Sequence, residues 1–169
     1  MTRSPWRFSK AWANLVWLAA LSVLAACTPQ QGVYRDLSAP IAATTRFEPH
    51  RLAGDWWVRS EFSEMPVAAR QVSYDLLGGS GFAIGPKGGP LTRHDLTEGA
   101  RWKASGAQPE IWLLWVDADY RTAAIGTPDG TIGMILDRSA TGGSDRITAA
   151  RDVLDWFGYD MTKLQEAQL

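Results

Sequence analysis

Short runs that alternate apolar and polar residues fill the chain beyond Phe47, and turns rich in glycine, proline and aspartate separate them. A two-residue alternation of this kind predicts β-strands. The Thr127-Pro128-Asp129-Gly130 stretch predicts a hairpin, because proline presets one turn dihedral and glycine adopts the positive one. We therefore expect seven or eight mostly antiparallel strands, at residues 55–62, 71–77, 81–85, two within 91–104, 111–116, 121–126 and 131–138.

Only the end of the chain changes to a helical period. We expect the helix to begin with Ser144 or Asp145 as its cap and to end at Gly158. Many short strands followed by one amphipathic helix predict an all-β protein, either a barrel or a sandwich, with the helix packed outside. The apolar face of the helix comprises Ile147, Ala150, Val153, Leu154 and Phe157.

The first 26 residues have the layout of a secretory signal peptide. They carry Arg3, Arg7 and Lys10, no acidic residue, and an apolar run over residues 15–26. Twelve apolar residues fall well short of the roughly 20 that a helix needs to cross a bilayer. Because no later run is longer, we do not expect a transmembrane anchor.

The signal peptide stops at Cys27, the only cysteine of the chain, which follows Leu24-Ala25-Ala26. This stretch resembles the lipobox of bacterial lipoproteins and predicts that Cys27 carries the lipid anchor. The alternative is an ordinary cleaved signal peptide followed by a spare thiol. Thr28 after the cysteine favours the periplasmic face of the outer membrane. Residues 27–46 are then the lipidated N-terminus and a flexible tether, able to span up to about 65 Å.

Composition limits the partners of the remaining chain. Removal of residues 1–26 leaves 143 residues, the size of one domain. The signal peptide holds three of the 17 Lys and Arg and none of the 18 Asp and Glu, so the net charge becomes about −4. This charge argues against nucleic acid as a partner. A lone cysteine excludes an internal disulfide.

Three segments resemble the motifs of the lipocalin family, and in particular of bacterial outer-membrane lipoprotein lipocalins. Leu52-Ala53-Gly54-Asp55-Trp56-Trp57 is similar to the Gly-x-Trp motif of the first strand. Asp117 and Tyr120 resemble the Asp-x-x-Tyr turn before the penultimate strand. Arg138 matches the arginine that ends the last strand. The resemblance implies an up-and-down barrel over residues 47–169, in which Gly54, Trp56, Asp117, Tyr120 and Arg138 form the closed end.

The middle of the chain departs from this family. An eight-stranded lipocalin usually places four strands where residues 78–110 lie, so we expect a short or missing hairpin and a shortened barrel. At the closed end, strand parity predicts that the Arg138 guanidinium stacks on the Trp56 ring.

The resemblance implies a small hydrophobic ligand, such as a fatty acid or a lysophospholipid. Strand parity and aromatic character give six wall candidates: Val58, Phe62, Tyr74, Phe82, Trp102 and Trp112. Residues 111–116 are apolar at both parities, so whether Trp112 or Trp115 faces inward stays open. Trp156 is expected in the core. The alternative function is an envelope interaction or assembly protein whose barrel is packed solid.

No recognisable catalytic constellation accompanies these motifs. His50 and His94 lie in polar stretches, and no motif places a serine beside either of them. Zinc-ligand spacings are absent, and the glycines of residues 81–89 lack the lysine and hydroxyl residue of a phosphate loop. We therefore expect neither an enzyme nor a bound metal or cofactor.

Overall fold

The computed structural model describes residues 32–168, which form a closed barrel of eight antiparallel strands. Each strand pairs with the next, and β1 closes the barrel by pairing with both β8 and β2. The strands are β1 Gly54–Phe62, β2 Arg70–Leu76, β3 Gly81–Pro86, β4 Thr92–Leu96, β5 Arg101–Ala104, β6 Ile111–Val116, β7 Thr122–Gly126 and β8 Gly133–Asp137. The expected short or missing hairpin is present and short: β4 and β5 have five and four residues, so all eight strands of the barrel are formed.

Two helices and a ninth strand complete this barrel. Helix α1, Pro49–Leu52, precedes β1, and helix α2, Ser144–Trp156, packs outside on β6, β7 and β8. Strand β9, Leu164–Glu166, pairs with β1 at Ser60–Phe62, beyond the point where β2 leaves that edge. The predicted helix end at Gly158 is confirmed, with φ +84°. The predicted cap is wrong, because left-handed Gly143 occupies the cap position and makes no side-chain cap bond.

The apolar side chains form one cluster inside the barrel and a second between the barrel wall and α2. As predicted, Ala150 and Leu154 are the buried residues of the helix, and Ile147, Val153 and Phe157 pack beside them. Trp156, the last residue of α2, lies on the solvent side of the helix and is 78% exposed. The expectation that it packs in the core is therefore wrong.

Two β-bulges change which residues face the interior. Val58 pairs with Leu136 but Ser60 pairs with Ile135, so Arg59 is an extra residue in β1. Leu114 is likewise an extra residue in β6. An inserted residue reverses the alternation of all positions beyond it. Leu136 belongs to the inner cluster and Ile135 to the outer one, so β1 presents Val58 inward and Ser60 outward.

Residues 32–46 lie against the barrel, so the prediction of a flexible tether is wrong for this stretch. Arg35 is only 7% exposed, and its guanidinium donates to the carbonyls of Pro128, Phe157 and Ala39. The Thr44 amide donates to the Leu113 carbonyl at 2.8 Å. The predicted signal peptide and Cys27 lie outside the described residues. Within residues 32–168, no helix is long and apolar enough to cross a membrane.

Candidate functional site

Aromatic side chains fill the closed half of the barrel interior. Tyr74, Phe82 and Trp102 meet edge to face, with ring centroids 5.8–6.0 Å apart. Phe47 stacks on Trp102 from the chain before β1, at 6.4 Å. All but Phe47 are buried. These four rings form a floor across the barrel, which we call the aromatic floor.

The aromatic floor contains two polar atoms without a partner. Trp102 Nε1 is buried and makes no hydrogen bond within residues 32–168. The Tyr74 hydroxyl likewise has no hydrogen bond there, and burial raises the pKa of Tyr74. The unpaired and buried Trp102 Nε1 is unusual, because a buried polar group without a partner loses its hydration without compensation. Both groups could donate to an oxygen atom of a molecule held above the floor.

Beside the aromatic floor lie further apolar residues of the barrel interior, which we call the apolar mouth. Val72, Ile84, Ile111 and Met134 face inward by their strand pairing and are half-buried. Val58, which pairs with Leu136 and Arg70, lies among them and is fully buried. Half-exposed apolar side chains on the inside of a barrel are the surface that an apolar molecule could cover.

Polar residues stand at the rim of the mouth. Glu61 pairs with Met134 and therefore faces inward, where its carboxylate lies 2.6 Å from the Arg70 guanidinium. His94, expected in a polar stretch, does not lie at the rim but on β4 directly opposite Phe82 of the aromatic floor and opposite Ala104, and it is half-buried. Sequence reasoning missed Glu61 and Arg70. The bulge at Arg59 reverses the parity of Glu61, and the β1–β2 register that pairs Arg70 with Val58 is not visible in sequence.

Four of the six predicted wall residues lie in the interior cluster: Val58, Tyr74, Phe82 and Trp102. Their role in ligand binding stays a prediction. Phe62 does not join them, because the bulge at Arg59 turns it to the outside. There it packs 4.9 Å from the Tyr159 ring in the cluster beneath α2. The prediction that Phe62 lines the interior is therefore wrong.

Trp112 also lies outside the barrel. Its partner Gly126 is on the outer face, and its Nε1 donates to Glu110 at 2.6 Å. The Arg101 guanidinium covers the ring, 4.2 Å from its centroid. The bulge at Leu114 keeps Trp115 on the outer face as well, so neither tryptophan of β6 faces inward. The prediction that Trp112 lines the interior is wrong.

The five predicted closed-end residues form one structural unit. The Arg138 guanidinium lies over the buried Trp56 ring and donates to the carbonyls of Asp55, Arg51 and Ala53. Gly54 has φ +101°, and a Cβ there would lie 3.2 Å from Arg138 Nη1. Glycine therefore permits both the backbone conformation and the close approach of the arginine.

The turn before β7 is held by Asp117. Its Oδ1 accepts from the amides of Arg121 and Thr122 at 2.6 and 2.7 Å. Partial burial alone raises the pKa of Asp117, but the hydrogen bonds outweigh it and the pKa lies below its ordinary value. Tyr120 has φ +57°, and its hydroxyl accepts from the Glu48 amide. The turn thereby binds the segment before β1. Within residues 32–168, no three His, Cys, Asp or Glu side chains are grouped as metal ligands would be.

The fold is that of the lipocalins. No protein-family model matches the chain, and no curated protein matches its sequence. The siderocalin Ex-FABP, described as functioning through dual ligand specificities, is similar in structure, with TM-score 0.52 and 16% identity over 70% of this chain and 96% of its own. Lipocalin 12 from rat epididymis has TM-score 0.59 and 12% identity over 83% and 94%. At such identities the likeness establishes the fold: a closed eight-stranded barrel with one C-terminal helix outside.

Proposed function

We propose that this chain is a lipid-anchored lipocalin of the bacterial envelope that binds, stores or transports a small hydrophobic ligand, such as a fatty acid or a lysophospholipid. The observation that carries the proposal is the mouth of the barrel. Val72, Ile84 and Met134 face its interior yet are only half-buried. A ligand that covered them would gain about 25 cal/mol for each Å² of apolar surface removed from water.

The geometry favours a ligand with one apolar chain and one polar end. The aromatic floor limits how deep a chain can reach, and Val58 and Ile84 face the interior, where they could contact methylene groups. Each buried methylene contributes roughly 0.8 kcal/mol, so ten give about 8 kcal/mol before the costs of association, consistent with micromolar affinity. Arg70 at the rim is then the partner for a carboxylate or phosphate headgroup, in competition with Glu61.

The anchor is Cys27, supported by the signal peptide and the lipobox-like Leu24-Ala25-Ala26. Tyr34, whose amide donates to the Gly130 carbonyl, is already fixed to the barrel only seven residues later. Seven extended residues span at most about 25 Å. A lipid on Cys27 would therefore hold the barrel within about 25 Å of the membrane surface. A flexible tether running to residue 46 would allow a distance of up to about 65 Å.

A second candidate function is an envelope interaction protein whose barrel takes no ligand. The filled aromatic floor favours it, since Tyr74, Phe82 and Trp102 are already packed against one another. The Phe47 side chain adds to this packing. In this case the mouth would be a shallow depression without function.

Native mass spectrometry of the full-length chain, released from membranes in mild detergent, separates the two candidates. A ligand-binding barrel should carry a copurifying lipid of one chain, lost in an Ile84→Lys variant and kept in a Leu37→Lys variant. Leu37 is a suitable control because it is an exposed apolar residue outside the barrel strands. A folded protein that carries no lipid, and takes up none when fatty acid is added, contradicts ligand binding. Intact mass of the wild type against Cys27→Ser tests the anchor separately.

A further inference from the structure

A groove runs outside the barrel between β1 and the first half of α2, and its volume is about 500 Å³. Small-molecule sites commonly occupy roughly 300–1,000 Å³. Its lining includes Arg59, Ser60, Ser144, Ile147, Arg151 and Glu166. We call it the helix–strand groove. It is separate from the mouth of the barrel, because the bulge at Arg59 turns this part of β1 outward.

Ser60 forms part of the groove wall and is only 2% exposed. Its hydroxyl makes no hydrogen bond to any of residues 32–168, although it pairs through the backbone with Ile135 and Glu166. A hydroxyl that lines a groove and has no protein partner can bond to water or to another molecule there. Ser60 therefore presents a free donor to an occupant of the groove.

Two arginines flank this hydroxyl. Arg59 is fixed in place because its Nη1 donates to the carbonyls of Ser139 and Gly142 at 3.2 and 3.0 Å. Its remaining donors have no partner within residues 32–168. Arg151 stands on the helix side, with Nη1 3.8 Å from the exposed Glu166 carboxylate. An exposed pair at that distance contributes little, so the groove holds more positive than negative charge.

The start of α2 contributes free amide donors, although its first turn also carries the exposed Asp145. Its cap residue, Gly143, offers no side chain to the free amides of the first turn. The groove is also lined there by the hydroxyl residues Ser144 and Thr148. Amides at a helix start and guanidinium groups bind anions in the same way, through N–H donors and positive charge.

We propose that the helix–strand groove binds a small organic anion, a carboxylate or a phosphate ester. Its negative group lies between Arg59, Ser60 and the start of α2, and its apolar part lies on Ile147 and Ala167. Arg151 supplies the second positive charge. This site is distinct from the barrel ligand of the proposed function and does not depend on it.

The test is isothermal titration of the full-length chain in a non-ionic detergent with butyrate, glycerol 3-phosphate and inorganic phosphate, and with butylammonium as the charge control. The anions should bind and butylammonium should not. Arg151→Gln should weaken binding about tenfold, as expected for the loss of one charge-assisted contact, and Ser60→Ala by about three- to tenfold. Arg93→Gln, an exposed arginine on β4, is the matched control and should leave affinity unchanged.

Vesicles containing phosphatidylglycerol, compared with free glycerol 3-phosphate, distinguish a lipid headgroup from a soluble anion as the source of the negative group. Arg59→Gln is informative only if circular dichroism shows a folded barrel, because Arg59 also holds the loop before α2. Arg151→Gln and Ser60→Ala leave that loop unchanged. These two variants therefore test anion binding even if Arg59→Gln does not fold. Failure of every anion to bind at about 10 mM, or equal affinity in all the variants, would overturn the proposal.

Discussion

The guanidinium carbon of Arg138 lies 3.7 Å from the centroid of the Trp56 ring. The same guanidinium donates to carbonyls of Arg51, Ala53 and Asp55, and Trp56 Nε1 donates to the Leu52 carbonyl at 2.8 Å. The end of β8 is thereby joined to α1 and to the start of β1. Because β1 and β8 are also hydrogen-bonded neighbours, this pair closes the barrel and covers one end of its core.

Truncation of either member of this pair should destabilise the protein. Arg138→Ala leaves several carbonyls without their donor, and Trp56→Ala leaves a cavity in the interior cluster. We expect each to lower the free energy of unfolding by about 2–4 kcal/mol. Chemical denaturation of both single variants and the double variant measures the coupling. Strictly additive losses would contradict the cation–π contact.

The elements of this fold were largely predictable, because they rest on local signals. Two-residue alternation located the strands, and Gly54, Trp56 and Arg138 marked the two chain segments that close the barrel. The docking of residues 32–46 had no such signal. It depends on Arg35 reaching carbonyls more than 90 positions away along the chain, which no pattern within 32–46 reveals.

The candidate site was predictable only in part. Alternation along a strand assigns each side chain to the inner or the outer face of the barrel only while the strand pairing stays regular. Val58 lies before the bulge at Arg59 and was assigned to the correct face. Phe62 lies after it and was assigned to the wrong one. A bulge depends on the register of two strands, and sequence alternation in one strand cannot show it.

Asp117→Asn should destabilise the protein at neutral pH and much less in acid. The folded-state pKa of Asp117 lies below the ordinary value of 3.8, so the ionised carboxylate stabilises the fold. This contribution is fully present above the unfolded pKa and is lost as the pH falls through the folded one. We expect a loss of about 1–3 kcal/mol at pH 7 that shrinks below about pH 4. Urea denaturation from pH 7 to pH 3 measures it, and a difference that is independent of pH would contradict this role.

Arg35→Ala should release residues 32–46 from the barrel. The variant leaves the carbonyls of Pro128, Phe157 and Ala39 without their shared donor. We expect faster amide exchange at Tyr34, Asp36 and Thr44, with opening free energies reduced by about 1–3 kcal/mol. Arg46→Ala is the matched control, since Arg46 is exposed and its side chain has no hydrogen bond within the described residues. Exchange that is equally slow in both variants would mean that Arg35 does not hold this segment.

Affinity for fatty acids should rise with chain length and then level off when the chain reaches the aromatic floor. Each added methylene contributes roughly 0.8 kcal/mol while it is being buried, or about fourfold in Kd, and nothing once the space is filled. Tryptophan fluorescence should report the binding, because Trp102 belongs to the floor.

The test of this prediction is a series of fatty acids of 12 to 18 carbons and the corresponding lysophospholipids, titrated into the lipid-stripped full-length chain. Ile84→Lys places a charge in the mouth and should weaken binding at least tenfold, because the ammonium must be desolvated by the alkyl chain. Leu37→Lys introduces the same charge outside the barrel strands and should bind as the wild type does. If the folded wild type binds none of these lipids at tens of micromolar, the barrel is packed to its mouth and the interaction-protein function becomes the better account of this fold.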